Sequence, residues 1–140
     1  MSNSQILPAG EIWKNLKSIY DEMTARVDKD NPEALRERIA WVSRVIPFVA
    51  LLRANAGYWL DDAIEKETRK LLDEEGVTPT ILGKLLRGKV KNFNQVFELA
   101  RKLHADLEIQ SNGLRTLLSY EKSHMNNLDG GSQGRGVRHA

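Results

Sequence analysis

Few residues in this sequence have the types and spacing that catalysis or metal binding requires. Glu121 and His124 form one Glu-x-x-His pair at helical spacing, whereas a di-metal site in a helical bundle needs two such pairs and further glutamates. His104 and Glu108 stand four residues apart, which is typical of a partly solvated pair on one helix face. No serine, histidine and acid form a known local catalytic signature. The sequence therefore predicts no enzyme activity, no metal site and no cofactor.

The segment GKLLRGKV at residues 83–90 comes close to a phosphate-binding loop, G-x4-G-K followed by Ser or Thr. Val90 stands where a hydroxyl must bind magnesium, and no predicted strand precedes the motif. Leu85 and Leu86 also fit a helical apolar stripe. We therefore interpret residues 83–90 as helix rather than as a nucleotide site.

Basic side chains are the most promising functional groups in the sequence. Lys84, Arg87 and Lys91 share one face of a continuous helix by the i, i+3, i+7 rule, and Lys/Arg surfaces of this kind bind nucleic-acid backbones. Further basic residues lie toward the C-terminus. The full set of candidate nucleic-acid contacts is Lys84, Arg87, Lys91, Arg101, Lys102, Arg115 and Lys122.

The charges are unevenly distributed, although the net charge of the chain is only +2. Residues 61–75 carry seven acidic and three basic side chains, while residues 84–102 carry six basic side chains and one acid, Glu98. In a hairpin that turns at Gly76, these two blocks would lie side by side. Arg53 would then approach Arg101 and Lys102, and Arg38 would approach Arg115. The sequence leaves open whether the basic block binds a partner, pairs with the acidic block or is simply solvated.

Composition indicates one globular domain. The chain has 140 residues, of which 41% are hydrophobic and 29% are charged, enough for a single core. It contains no cysteine, so disulfides are excluded. No signal peptide is apparent, and the apolar stretch at 45–52 is too short to span a membrane. We expect a cytoplasmic protein without membrane contact.

Apolar residues recur at helical spacing along almost the whole chain. Asn31-Pro32 and Thr78-Pro79 are typical helix starts, and Gly76 is a typical helix stop. Pro47 should kink or split the second helix. Leu107 and Leu114 keep helical phase across Asn112-Gly113, so we interpret that dipeptide as part of a helix.

These patterns predict an all-α fold: a short N-terminal helix and two long helices, packed as an elongated helical hairpin or three-helix bundle. Residues 1–128 form the single helical domain, and the Gly- and Arg-containing tail at 129–140 is predicted to be disordered. Trp13, Trp41, Phe48 and Trp59 are more large apolar groups than one thin hairpin covers. We therefore expect a homo-oligomer.

Two family resemblances follow from longer segments. The segment GVTPTILGKLLRGKVKNFNQVFELARKLHADLEI (76–109) resembles part of a phage-repressor-type helix-turn-helix domain, through its runs GVTP, GK and LARKL. The resemblance implies that Thr78, Thr80, Lys84 and Arg87 face the major groove of DNA.

The second resemblance is to a group of small, all-helical phage and prophage proteins similar in layout to UvsY-type recombination mediators. It rests on the long kinked helix and on the run LRTLLSYEK at 114–122. It implies single-stranded DNA binding, oligomerisation and a recombinase partner, with Arg115 and Lys122 among the contacts. The two families differ around Gly76: the first implies a tight turn between short helices, and the second a long hairpin.

The leading functional hypothesis is a non-enzymatic, DNA-associated accessory protein of a phage or mobile element, acting in recombination or replication. One alternative is a repressor-like transcriptional regulator. Another is a helical protein-binding module without affinity for nucleic acid.

Overall fold

The chain folds into helices joined by short connections. A computed structural model describes residues 6–129, with side chains from 6 to 124. The helices are α1 (Ala9–Met23), α2 (Pro32–Arg69), α3 (Pro79–Lys89) and α4 (Lys91–Asp129), and α2 runs directly into a π-helical turn at Lys70–Glu74. No strand occurs in this part of the chain, and the predicted all-α fold is confirmed. The disordered tail predicted for 129–140 lies outside the described residues, apart from Asp129 at the end of α4.

Local signals fix the ends of α2. The side chain of Asn31 accepts hydrogen bonds from the backbone N–H groups of Glu33 and Ala34, at 3.0 and 3.4 Å, so it caps the helix as its type predicts. At the other end, Gly76 has a φ of +62°, a left-handed conformation that favours glycine. The N–H of Val77 then reaches back to the carbonyl of Leu71 at 2.9 Å. Pro47 lies inside α2, which stays one helix, so the alternative of a split is excluded.

The three-helix body consists of α1, residues 32–60 of α2 and residues 98–118 of α4. α4 runs antiparallel to α2: Arg53 lies 3.5 Å from His104, and Arg115 lies 3.2 Å from the hydroxyl of Ser43. The first of these contacts places Arg53 against His104, two to three residues past Arg101 and Lys102, which the hairpin prediction had placed beside it.

Helix α1 packs against both long helices. At its start, the N–H of Leu7 donates to Asn55 and the indole of Trp59 donates to the carbonyl of Leu7, each at 2.7 Å. At its end, Gln110 donates to the carbonyl of Met23 at 3.2 Å. These hydrogen bonds hold α1 antiparallel to α2, beside α4.

Aliphatic residues from all three helices fill the body. Their helical spacing brings one stripe of each helix inward, which is the arrangement that the sequence predicted. The buried members of this core are Ile12, Leu16, Ile19, Leu35, Val42, Val49, Leu52, Ala56, Ala100, Leu103, Leu107 and Leu114.

Arg38 corrects one sequence expectation. Instead of approaching Arg115, it is buried to 9% exposure and donates to the backbone carbonyls of Glu22 and Ala25, at 2.6 and 3.2 Å. Its guanidinium also lies 5.2 Å from the ring of Trp41. Arg38 therefore binds two backbone carbonyls at the C-terminal end of α1, which is a favourable position for a cation.

The predicted third helix is in fact two helices. The break falls at Val90, whose φ and ψ of −102° and 10° are not α-helical. Val90 accepts from the N–H of Asn94 at 3.0 Å and is buried to 6% exposure, so the corner is anchored by an apolar side chain. Gly88, two residues earlier, weakens the helix at this point. The short α3 consequently forms the end of the molecule, packed against α2, the π-helical turn and α4.

The helix α4 is continuous through Asn112-Gly113, as its apolar phase predicted. Leu107 and Leu114, on either side, are both buried in the same core. A Cβ added at Gly113 would meet no atom within 4 Å, so this glycine is not required for close packing.

The segment Pro32–Glu74 is long and apolar enough to cross a membrane, judged by length and composition alone, with an 18-residue window of mean hydropathy 1.3. Core helices of soluble proteins pass the same test, and α2 packs against α1 and α4. Only 28% of that window is buried, because one face of α2 is covered by neither helix. The absence of membrane contact stays a prediction.

Candidate nucleic-acid interface

The end of the molecule carries a segment that is basic and free of acids. We call residues 76–97 the basic tip: they include Lys84, Arg87, Lys89 and Lys91 and no Asp or Glu. All four basic side chains are exposed. The helix α3, which supplies three of them, has no buried residue. Four cationic groups are therefore presented to solvent by a short, protruding helix and the start of the next one.

The acidic block at 61–75 does not form ion pairs with the basic tip. Within the described residues, every ion pair joins residues three or four apart on one helix. In the acidic block, Lys66 pairs with Asp62 and Arg69 pairs with Glu65, each at 2.9 Å. The structure therefore excludes one of the three possibilities that the sequence left open, ion pairing between the acidic and basic blocks. The cations of the tip are available to an external anion.

The prediction that Lys84, Arg87 and Lys91 share one helix face is correct only for the first two. Lys84 and Arg87 are i, i+3 neighbours within α3 and lie on its outer side, away from the half-buried Leu82 and Leu86. Lys91 lies on α4, beyond the break at Val90, so the argument from continuous helical spacing does not extend to it. Lys91 lies directly after the corner between the two helices, two residues from Lys89.

Sequence reasoning missed Lys89 as a site residue. It is exposed in the last turn of α3, close to the corner. The signal that would have found it is the complete lack of acids from 76 to 97, which is more informative than helical spacing across a glycine.

Arg101 and Lys102 are neighbours with different surroundings. Arg101 donates to the carboxylate of Glu98 at 2.6 and 3.1 Å. This hydrogen bond lowers the pKa of Glu98 and raises the pKa of Arg101. The positive charge of Arg101 is thus already paired with Glu98 on the same helix. Lys102, in contrast, is exposed and has no ion pair within the described residues.

Arg115 and Lys122 are not part of the tip. Arg115 donates to the hydroxyls of Ser111 and Ser43, at 3.3 and 3.2 Å, so it ties α4 to α2. Lys122 is exposed near the far end of α4. Lys91 and Lys122 are separated along the helix by about 46 Å. The seven sequence-predicted residues therefore do not form one site.

Apolar side chains are also exposed in the tip and in the π-helical turn before it. Ile81 and Leu85 of α3 are 49% and 41% exposed, and Leu72 of the turn is 39% exposed. Ile81 and Leu85 share the short helix α3 with Lys84 and Arg87, so the surface of this helix has a mixed basic and apolar character. Aliphatic groups of this kind suit contact with bases or with a protein more than contact with phosphate.

The weaker motifs of the sequence have no supporting geometry. Residues 83–90, the near-match to a phosphate-binding loop, lie in α3 and at its C-terminal cap, where helical backbone cannot wrap a phosphate. No group of three or more potential metal ligands occurs among the described residues. His124 stacks on Tyr120, with 6.3 Å between the ring centres.

A groove of about 980 Å³ lies between the α1–α2 connection and α4. Its lining includes Arg26, Asp28, Arg38, Gln110 and Leu117. This location is at the other end of the body from the basic tip, so the groove and the tip are separate surfaces.

Comparison with protein-family models, curated proteins and solved structures gives no match to this chain.

Proposed function

We propose that this protein binds the phosphate backbone of nucleic acid through its basic tip, as a non-enzymatic accessory protein. The observation that carries the proposal is the set Lys84, Arg87, Lys89 and Lys91: four exposed cations in a segment without acids, none of them in an ion pair within the described residues. Such clusters neutralise phosphates and release condensed counterions. A role in phage recombination or replication, with a recombinase as partner, belongs to the same proposal and is supported by the family resemblance.

The acidic block limits the side from which nucleic acid can approach the tip. Residues 61–75 end α2 and form the π-helical turn that packs against α3. Their carboxylates repel phosphates, so the nucleic acid approaches from the side of α3 and the α4 start. Lys102 extends this side along α4, and Arg101 contributes little because Glu98 already pairs with it.

Titration of labelled single- and double-stranded DNA at low and moderate salt tests the proposal. The triple variant Lys84→Gln, Arg87→Gln, Lys91→Gln is compared with Lys14→Gln, Arg26→Gln, Lys29→Gln, which makes the same charge change at exposed positions on α1 and its following connection. We expect the tip variant to bind at least about tenfold more weakly at low salt, and the slope of log K against log salt to fall by about 2–3. The control variant should keep both values.

Absence of DNA binding by the unsubstituted protein at low salt contradicts the proposal, and so does equal weakening by both variants. Binding that does not depend on salt contradicts the phosphate mechanism in particular.

A repressor-like reader of duplex sequence is a second candidate, because α3 exposes Thr80, Lys84 and Arg87 on a short helix at the end of the molecule. A helix of this size fits the major groove. The 38-residue α2 before it differs from the short helix that the family places there. Selection of bound duplexes from a random-sequence pool tests this candidate. It requires a strong preference for particular DNA sequences that is lost in Arg87→Ala, and a preference below about tenfold excludes it.

The exposed Leu72, Ile81 and Leu85 favour a third candidate, a helical module that docks on a protein. It predicts no DNA affinity, and binding to its partner would not respond to the triple tip substitution. The DNA titration therefore separates it from the first two.

A further inference from the structure

One face of α2 is exposed along the whole body and is apolar at its centre. We call this surface the outer face of α2. Phe48, Leu51 and Tyr58 are 37%, 45% and 45% exposed, and Pro47 and Ala54 lie exposed beside them. Neither α1 nor α4 covers this face, because both pack on the opposite side, against the buried Val49, Leu52 and Ala56.

The charges at the two ends of this apolar centre are opposite. Arg44 lies before it and Asp62 lies after it. They are 18 residues apart, which is five complete helical turns, so they point in the same direction from the helix axis. Arg44 is exposed and has no ion pair within the described residues. Asp62 pairs only with Lys66, one turn away on the same helix.

This pattern is complementary to itself in one orientation. When two copies of α2 lie antiparallel with a two-fold axis at the level of Arg53, Arg44 of each chain meets Asp62 of the other. Phe48 then meets Tyr58, and Glu37 meets Arg69 at the outer ends. A parallel arrangement in register instead places Arg44 against Arg44 and Asp62 against Asp62, which is repulsive.

Helix α1 carries a further exposed aromatic side chain at a similar level along the body. Leu7 meets Asn55 and Glu22 meets Arg38, so Trp13 lies along α2 between these levels, as does Phe48. Trp13 is 42% exposed. Aromatic residues that are half exposed in the free chain are the usual anchors of protein interfaces.

We infer that a second copy of this chain docks on the outer face of α2, antiparallel, forming a two-fold symmetric dimer. The symmetry makes each patch its own partner, as an isologous interface requires. The contact extends from Glu37 to Arg69, about 48 Å of helix, and a specific interface of this kind buries at least about 1,000 Å² in total. This inference is independent of nucleic-acid binding, because the basic tip lies outside the contact.

Sedimentation equilibrium at tens of micromolar tests the dimer. We expect the unsubstituted protein to be dimeric and Leu51→Arg to raise the dissociation constant at least about tenfold, because each dimer contains two copies of this central residue. Ile109→Arg is the matched control: Ile109 is an exposed apolar residue on α4, at 69% exposure, and its substitution should leave the dimer intact. Far-UV circular dichroism confirms that both variants keep their helices.

Cysteine cross-linking tests the orientation, because the natural chain contains no cysteine. In the antiparallel dimer, two Arg44→Cys chains hold their thiols about 27 Å apart along the helix, and so do two Asp62→Cys chains. Neither variant alone should form a disulfide, whereas their equimolar mixture should form a heterodimer on mild oxidation, with one disulfide that joins position 44 of one chain to position 62 of the other. Mixing Arg44→Cys with Ala105→Cys, which lies on exposed α4 surface, is the negative control.

A monomeric natural chain at tens of micromolar overturns the inference, as does a Leu51→Arg variant that dimerises as well as the natural chain. Cross-linking of Arg44→Cys with itself, without cross-linking in the mixture, overturns the antiparallel arrangement. None of these results changes the expected DNA affinity of the tip, so failure of the dimer is distinguishable from failure of the proposed function.

Discussion

The three-helix body and the basic tip are built from the same kinds of residues but are packed very differently. In the body, Leu16, Leu35, Leu52 and Leu107 are completely buried. In α3, leucines at similar spacing are half-buried or exposed, and no residue is buried. Most of the buried apolar side chains therefore lie in the body, whereas α3 is a charged helix without a buried residue. Binding surfaces are commonly drawn from such regions of low local stability.

The largest expected contrast is between leucine truncations in the two regions. Leu107→Ala removes a fully buried side chain and should lower the free energy of unfolding by about 2–5 kcal/mol. Leu85→Ala, at 41% exposure in the tip, should cost less than about 1 kcal/mol. Urea denaturation followed by circular dichroism measures both. Equal costs would mean that the tip belongs to the same cooperative core as the body.

Arg38 provides a second test of the body. Arg38→Ala removes a buried cation that binds two carbonyls at the end of α1, and the expected loss is about 1.5–3 kcal/mol. Arg36→Ala is the control, because Arg36 is exposed and its partner Glu33 lies on the same helix. Its expected effect on the free energy of unfolding is about 0–1 kcal/mol. Similar urea denaturation midpoints for the two variants would show that Arg38 does not stabilise the packing of α1.

Replacing a glycine by alanine should change the stability in opposite directions in the tip and in the body. Gly76→Ala places a Cβ at a φ of +62° and should destabilise by about 1–2 kcal/mol. Gly113→Ala replaces a glycine within continuous α4, with free space around the new methyl group, and should stabilise by about 0.5–1 kcal/mol. Thermal denaturation shifts of opposite sign confirm both conformations. A destabilising Gly113→Ala would contradict the continuous helix.

The smallest expected effects concern single basic residues and DNA. Arg87→Gln should reduce the slope of log K against log salt by about 1, since one phosphate contact is lost. Arg101→Gln should leave the slope nearly unchanged, because Glu98 already binds Arg101 at 2.6 Å. Titrations at several salt concentrations compare the two variants. A larger reduction of this slope in Arg101→Gln than in Arg87→Gln would indicate that DNA binds at the middle of α4 rather than at the tip.

The helices and the core were predictable because each depends on local, periodic information. The stripe from Leu103 to Leu114, the cap at Asn31 and the stop at Gly76 all behave as their sequence patterns indicate. The break at Val90 was not predictable from periodicity, because apolar phase continues through it. It depends on how α3 folds back on α2 and α4, which is a tertiary contact.

The candidate site was predictable only in part, for the same reason. Sequence spacing identified Lys84 and Arg87 correctly as neighbours, but it could not show that Glu98 binds Arg101 or that Arg115 is engaged with Ser43. Nor could it show that Arg38, which was expected to approach Arg115, is buried against the end of α1. A basic residue in a sequence becomes a candidate contact only after its internal partners are known.

A nuclear magnetic resonance titration of ¹⁵N-labelled protein with short single-stranded and duplex DNA at low salt tests most directly whether the tip binds nucleic acid. We expect the largest amide shifts within residues 80–91 and smaller ones near Lys102, and we expect them to disappear in the triple variant of Lys84, Arg87 and Lys91. Shifts confined to the region of Arg115 and Lys122, or no shifts at all, would contradict the assignment of function to the tip.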